Sequence, residues 1–141
     1  MTPDSSKLNF RVVENSRYLK ELLKSSEFRF DSKLRARLPE EPGIYRIFES
    51  GSDWTRTIRA GRTKTAIGGL RQRIYQNHYM GHQQGNLRSQ LVASGRCIDL
   101  DLAKDFIRTN CNVQFLIIKD GDDRKWAEYY MLSVLRPEFS D

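Results

Sequence analysis

Gly43-Ile44-Tyr45-Arg46-Ile47-Phe48 is the stretch on which the reading of this 141-residue chain turns. Two prolines in Leu38-Pro39-Glu40-Glu41-Pro42 forbid a continuing helix and deliver the chain extended into Gly43. Ile44 to Phe48, rich in β-branched and aromatic residues, reads as a strand. Glu49-Ser50-Gly51-Ser52-Asp53 follows as a turn and Trp54 to Ala60 as the antiparallel partner, so a hairpin is the simplest assembly. The two-residue period places Gly43, Tyr45 and Ile47 on one face, opposite Ile44, Arg46 and Phe48. On the partner strand the same period groups Arg59 with Thr57 and Gly61.

Upstream, residues 1–8 read as a frayed terminus. Asn15 or Ser16 is the expected cap of a helix from about Arg17 to Ser26, with Tyr18, Leu22 and Leu23 on its apolar side. Downstream, helical spacing covers Leu70 to His78, Asn86 to Ser94 and Leu100 to Thr109, with Gly85-Asn86 as a loop residue followed by a helix cap. Val113 to Ile118 is an apolar strand ending at Lys119-Asp120-Gly121, and a last helix runs from about Asp122 to Leu135, ahead of Pro137. This order predicts an α+β sandwich with a mainly antiparallel three-stranded sheet flanked by helices. Residues 1–38 read as an N-terminal helical extension and 39–141 as the domain that carries the chemistry.

The length fits one core. Hydrophobic residues at 38% and charged residues at 30% are ordinary for a folded globular chain. No apolar run is long enough for a membrane helix, and the first residues lack a signal peptide's basic and apolar regions, which predicts a cytoplasmic protein without a membrane partner. Cys97 and Cys111 form no C-x-x-C pair, and His78, His82, Cys97 and Cys111 show no zinc-ligand spacing, so neither a disulfide framework nor a zinc site is expected. The net charge of +6 is concentrated in residues 43–96, with nine Lys/Arg against two acids, a balance suited to phosphate contacts.

On the last helix, at about 100° per residue, Trp126, Tyr130, Val134, Ala127, Met131, Leu135 and Leu132 form one apolar arc, and Glu128 falls inside it. A carboxylate there needs a cation or a donor, either an arginine salt bridge or a Mg²⁺ ion, which takes one or two carboxylates and fills its other positions with water and phosphate. On the Leu70–His78 helix, Leu70 and Ile74 make the inward stripe, with Arg73 and Asn77 on one flank and Arg71 and His78 on the other. Arginine suits a phosphodiester because its guanidinium forms two parallel bonds to phosphate oxygens.

Together these residues resemble the GIY-YIG nuclease family over roughly residues 39–141. Gly43-Ile44-Tyr45 matches its first motif, Gly61 with Arg62-Thr63 the end of its second, Arg73 in L-x-x-R its arginine, and Glu128 in W-A-E-Y-Y its metal-binding glutamate. The resemblance implies a DNA endonuclease using Mg²⁺ or Mn²⁺, with Tyr45, Arg73, His78 and Glu128 catalytic and Glu128 the metal ligand. It also implies Arg59, Arg62, Lys64, Arg71, Asn77 and Ser140 along the substrate. Arg59 stands where the family has its second tyrosine, and Ser140 where it has an asparagine. His78 rather than Asn77 takes the place of the polar residue one turn past the arginine, chosen for its titratable ring. The alternative is a GIY-YIG-fold nucleic-acid-binding module with weakened or lost catalysis. A second alternative, an RNA-binding domain, would use Tyr75, Tyr79, Phe106 and Phe115 as stacking residues. Oligomeric state is not legible.

Overall fold

The computed structural model describes residues 5–64, 67–81 and 85–140. Its elements are α1 (Ser5–Lys24), β1 (Phe28–Arg29), α2 (Leu34–Arg37), β2 (Gly43–Ser50), β3 (Thr55–Arg62), a π-helix π1 (Arg71–Tyr79), α3 (Leu87–Ala93), α4 (Leu100–Asn110), β4 (Cys111–Ile117) and α5 (Gly121–Leu135). The class is α+β, as the element order predicts. The sheet has four antiparallel strands in the order β1-β4-β2-β3, where three were expected. The added strand, β1, is only two residues long and pairs Phe28 with Val113.

Helices cover both faces of the sheet. One face packs Tyr45, Ile47, Ile58 and Val113 against Leu70, Ile74, Leu87 and Ala103. The other packs Ile44 and Ala60 against Leu19 and Leu22 of α1 and Ala127 and Met131 of α5. Phe30, Leu34 and Leu38 lie in the first of these cores, with Phe30 against Tyr79, so a boundary at 38/39 would cut through it. The expected extension is therefore part of the same packing unit.

The first helix is longer than expected. It runs unbroken through Asn15 and Ser16 because no glycine or proline interrupts residues 4–38, and Leu19 and Leu22 are the positions it buries while Leu23 stays exposed. The expected cap at Asn86 is present, its Oδ1 accepting from the Ser89 amide at 2.9 Å, and Asp99 and Asp120, not expected as caps, close the starts of α4 and α5 in the same way.

Two backbone irregularities decide where site residues point. The β2–β3 register pairs Ile47 with Arg59 but Phe48 with Thr57, leaving Ile58 as an inserted residue. Such a bulge resets the alternation. Arg59 and Gly61 therefore share Tyr45's face, while Thr57 joins Arg46 on the other; the simple two-residue period had put Thr57 with Arg59. The second irregularity is π1, whose wider turn is sealed by the Met80 amide donating to the Tyr75 carbonyl. The start of π1 is tied to the proline segment, with Leu70 N–H donating to Glu41 O and Arg71 N–H to Pro39 O. Among the described residues no helix is long and apolar enough to cross a membrane.

Candidate functional site

The site forms where β2, β3, π1 and α5 meet. Gly43 opens β2, and a Cβ there would stand 2.1 Å from the Leu116 carbonyl oxygen, so only glycine lets β2 lie this close to β4. The Gly43 amide and carbonyl are both bound to Thr63, through Oγ1 at 3.1 Å and the amide at 3.0 Å, which fixes the ends of β2 and β3 together. Two residues on, Tyr45 is fully buried.

Its hydroxyl is the centre of the arrangement. His78 Nε2 lies 2.7 Å from Tyr45 Oη, and Arg73 Nε donates to the same oxygen at 3.3 Å. The Leu87 amide donates to His78 Nδ1 at 3.1 Å, so the imidazole proton sits on Nε2 and points at the tyrosine. Arg73 and His78 are five residues apart, which on an α-helix would separate them by about 140°. The i to i+5 repeat of π1 brings them to one side instead, correcting the expected wheel on which they lay on opposite flanks. Asn77, buried on the same turn, accepts a long bond from Gln72 Nε2 at 3.5 Å.

Glu128 reaches the site from α5. It is 4% exposed, and Arg62 Nη1 donates to its Oε1 at 2.6 Å. The cation required by a carboxylate in the apolar arc is thus an arginine of β3. A Cβ added at Gly61 would lie 2.9 Å from Tyr45 Oη and 3.5 Å from Glu128 Oε2, so the two oxygens flank the same bare Cα. That is the physical reason for glycine at the end of β3. The arc on α5 is narrower than its wheel suggests: Ala127, Glu128 and Met131 are buried, whereas Trp126 and Val134 are exposed.

Other predicted site residues fall elsewhere. Arg59 is completely buried on Tyr45's face and donates to Gly85 O at 3.0 Å and Gln90 Oε1 at 2.5 Å, so its guanidinium is not presented to a ligand. Arg71 is held by Leu38 O and Glu40 Oε1 against the proline segment. Lys64 is exposed just beyond β3. Ser140 is exposed too, and its backbone carbonyl, not its hydroxyl, accepts from Gln90 Nε2. Arg88 and Arg96 are clamps: Arg88 binds Met80 O at 2.8 Å and Arg96 binds Glu138 and Glu49.

The four aromatics of the RNA-binding alternative do not form an exposed row. Tyr79 packs on Phe30 and Tyr75, Phe115 stacks on Phe28, and Phe106 lies under Arg96. His82 lies outside the described residues. Among the described residues no three His, Cys, Asp or Glu side chains converge as a metal cluster. Burial pushes the Cys111 thiol up to about 12, which makes it an inert core residue.

Sequence reasoning missed the Leu87 amide, whose contact with the ring carries no side-chain signal, and the pairing of Arg62 with Glu128.

His78 is enclosed, and burial first, then the charges of Arg59 and Arg73, hold its pKa well below the ordinary 6.5. It is neutral in the fold, and the unfolded chain binds its proton more readily. Its stabilising contribution is complete above pH 6.5 and is lost as pH falls below that value. Urea unfolding should therefore show stability declining from about pH 6.5 towards pH 5, by up to roughly 1.4 kcal/mol per pH unit. His78→Gln should flatten that slope, and equal slopes in the two proteins would contradict the assignment.

Set beside family models, curated proteins and solved structures, the chain matches none.

Proposed function

We propose that the chain is an endonuclease of the GIY-YIG type that hydrolyses DNA phosphodiester bonds with Mg²⁺ or Mn²⁺. The observation that carries this reading is the convergence of His78 Nε2 and Arg73 Nε on Tyr45 Oη, with Glu128 across Gly61. Two N–H donors aimed at one phenolic oxygen stabilise negative charge on it, which suits that oxygen to take a proton from an attacking water. His78 acts as the donor, not as the base, because its Nδ1 is occupied by the Leu87 amide and its ring stays neutral. Arg73 places a permanent positive charge beside the oxygen, where charge on a phosphate would be stabilised.

Glu128 is a fitting anchor for the metal. Its Oε1 is taken by Arg62, but Oε2 receives no hydrogen bond from the described residues and faces the gap at Gly61. One available carboxylate oxygen suits a Mg²⁺ ion that keeps most of its waters. Bound there, the ion would supply the positive charge that a phosphodiester needs at its non-bridging and leaving oxygens. Arg62 lies at the same carboxylate and stacks its guanidinium over Tyr129 at 5.5 Å.

The Arg62–Glu128 pair also favours a second reading, a nucleic-acid-binding module on this scaffold in which the carboxylate serves only as a salt-bridge partner. Incubation of wild-type protein with supercoiled and branched DNA separates the two. The nuclease reading predicts cleavage with Mg²⁺ or Mn²⁺ that stops on chelation. Binding without cleavage on every substrate would favour the module.

A further inference from the structure

On the sheet face opposite Tyr45, Arg46 is a buried cation with no carboxylate of the described residues in ion-pair contact. It is 5% exposed and makes no ion pair among the described residues. Its Nε donates to Gln114 Oε1 at 2.7 Å, its Nη1 makes a long contact to Thr57 Oγ1 at 3.4 Å, and its Cζ lies 4.0 Å over the Phe48 ring. Gln114 cannot reorient to give more, because its Nε2 is spent on the Leu23 and Ser25 carbonyls. Its hydrogen-bond partners are therefore neutral, the exposed Glu27 acts on it only through its field, and among the described residues its Nη2 makes no hydrogen bond. Buried guanidinium groups are ordinarily met by carboxylates or by a full set of acceptors.

Arg46 borders a cavity of about 490 Å³ between β3 and the end of α5. Arg56 and Arg136 line the same space with Thr55 and Thr57, and Glu138 is the single acid among the lining residues. Glu138 is already neutralised by ion pairs to Arg56 and Arg96. Arg136 closes α5 in the left-handed region at φ 46° and is exposed, with no side-chain partner among the described residues. Thr57 Oγ1 accepts from Arg46, which leaves its hydroxyl hydrogen for a second acceptor. Two cations outside any ion pair among the described residues, and a hydroxyl donor, thus line one space.

We propose that this cavity is an oxyanion site, taking a phosphate-class group on Arg46 Nη2, the Arg136 guanidinium and the Thr57 hydroxyl. Arginine in this setting selects phosphate over a small halide because its planar nitrogens match two oxygens at once. The site stands on the far side of the sheet from Tyr45 and depends on no step of the hydrolysis. Burial, offset only in part by the negative charge of Glu27, lowers the Arg46 pKa from its ordinary value, and that cost is relieved when an anion enters.

Titration of the protein with inorganic phosphate at constant ionic strength, in the absence of divalent metal and followed by ¹H–¹⁵N spectra, tests the proposal. Saturable shifts are expected at the Arg46 Nε–H, at Thr57 and at Arg136. Arg136→Asn keeps a residue that tolerates the left-handed cap and should weaken phosphate binding about fivefold. Arg46→Met retains the apolar stem and should weaken it about tenfold or more. Tyr45→Phe should bind as wild type does. If Arg46→Met does not fold, the wild-type shifts and Arg136→Asn decide the matter. Short single-stranded oligonucleotides with and without a terminal phosphate identify the source: displacement of phosphate by both assigns a backbone phosphodiester, and displacement by the phosphorylated one alone assigns a phosphomonoester. Shifts that never saturate, or an Arg136→Asn variant that binds phosphate as tightly as wild type, would overturn the site.

Discussion

Tyr45→Phe is expected to cut the rate of DNA cleavage by about 10²- to 10⁴-fold, the range that a lost general base spans, while leaving DNA binding within a few-fold of wild type. The substitution removes one oxygen and keeps the ring that packs in the core. It also leaves His78 Nε2–H and Arg73 Nε–H without the acceptor they share. A cost of about 1–3 kcal/mol in stability should accompany the loss of activity, since a buried donor is left unmade. Single-turnover cleavage and urea unfolding on the same preparation separate the two effects. A variant that loses stability but cleaves at the wild-type rate would show that the hydroxyl only packs.

Gly43→Ala should produce the largest loss of stability of any single methyl added to the sheet, roughly 3 kcal/mol. The new Cβ would meet the Leu116 carbonyl at 2.1 Å, and that obstacle is backbone in the neighbouring strand, which cannot rotate away as a side chain would. Relief requires β2 and β4 to separate at the end where Gly43 pairs with Ile117, and it strains the two hydrogen bonds to Thr63. Ile44→Val, the removal of one methylene from the adjacent core position, should cost about 1 kcal/mol and serves as the reference. Equal urea midpoints for Gly43→Ala and Ile44→Val would refute the close-approach explanation of this glycine.

The residues that were legible in the sequence are those whose role is local. Ile44 to Phe48 and the strand after it could be read as a hairpin because two-residue alternation and a turn need no distant partner. Glu128 stood out because an acid inside an apolar helical arc demands a partner wherever the helix packs, and Asn86 announced its cap in the same local way. The features that escaped depend on the third dimension. Phe28–Arg29 is too short to show a period, and becomes a strand only because Val113 and Asn112 lie beside it.

The bulge at Ile58 and the wide turns of π1 change which side chains share a face without leaving a compositional trace. An α-helical wheel therefore gave Arg73 and His78 to opposite flanks, although the structure aims both at Tyr45 Oη. Arg59 carries a similar lesson. A charged residue at the position of an expected tyrosine invites a phosphate, yet Gly85 O and Gln90 Oε1 had already claimed its guanidinium inside the protein. Glu128 gave a half-answer: the sequence demanded a cation beside it, and the structure supplies Arg62 at Oε1 while leaving Oε2 towards Tyr45.

The carboxylate is thus the point on which the account stands. Its most direct test is Mg²⁺-dependent conversion of supercoiled DNA to nicked circles by wild type and Glu128→Ala under identical conditions, with DNA binding measured in parallel. Nicking by the wild type that disappears with chelator is expected, and nicking by Glu128→Ala at least about 10²-fold slower with binding retained. Equal nicking by the two proteins would contradict it.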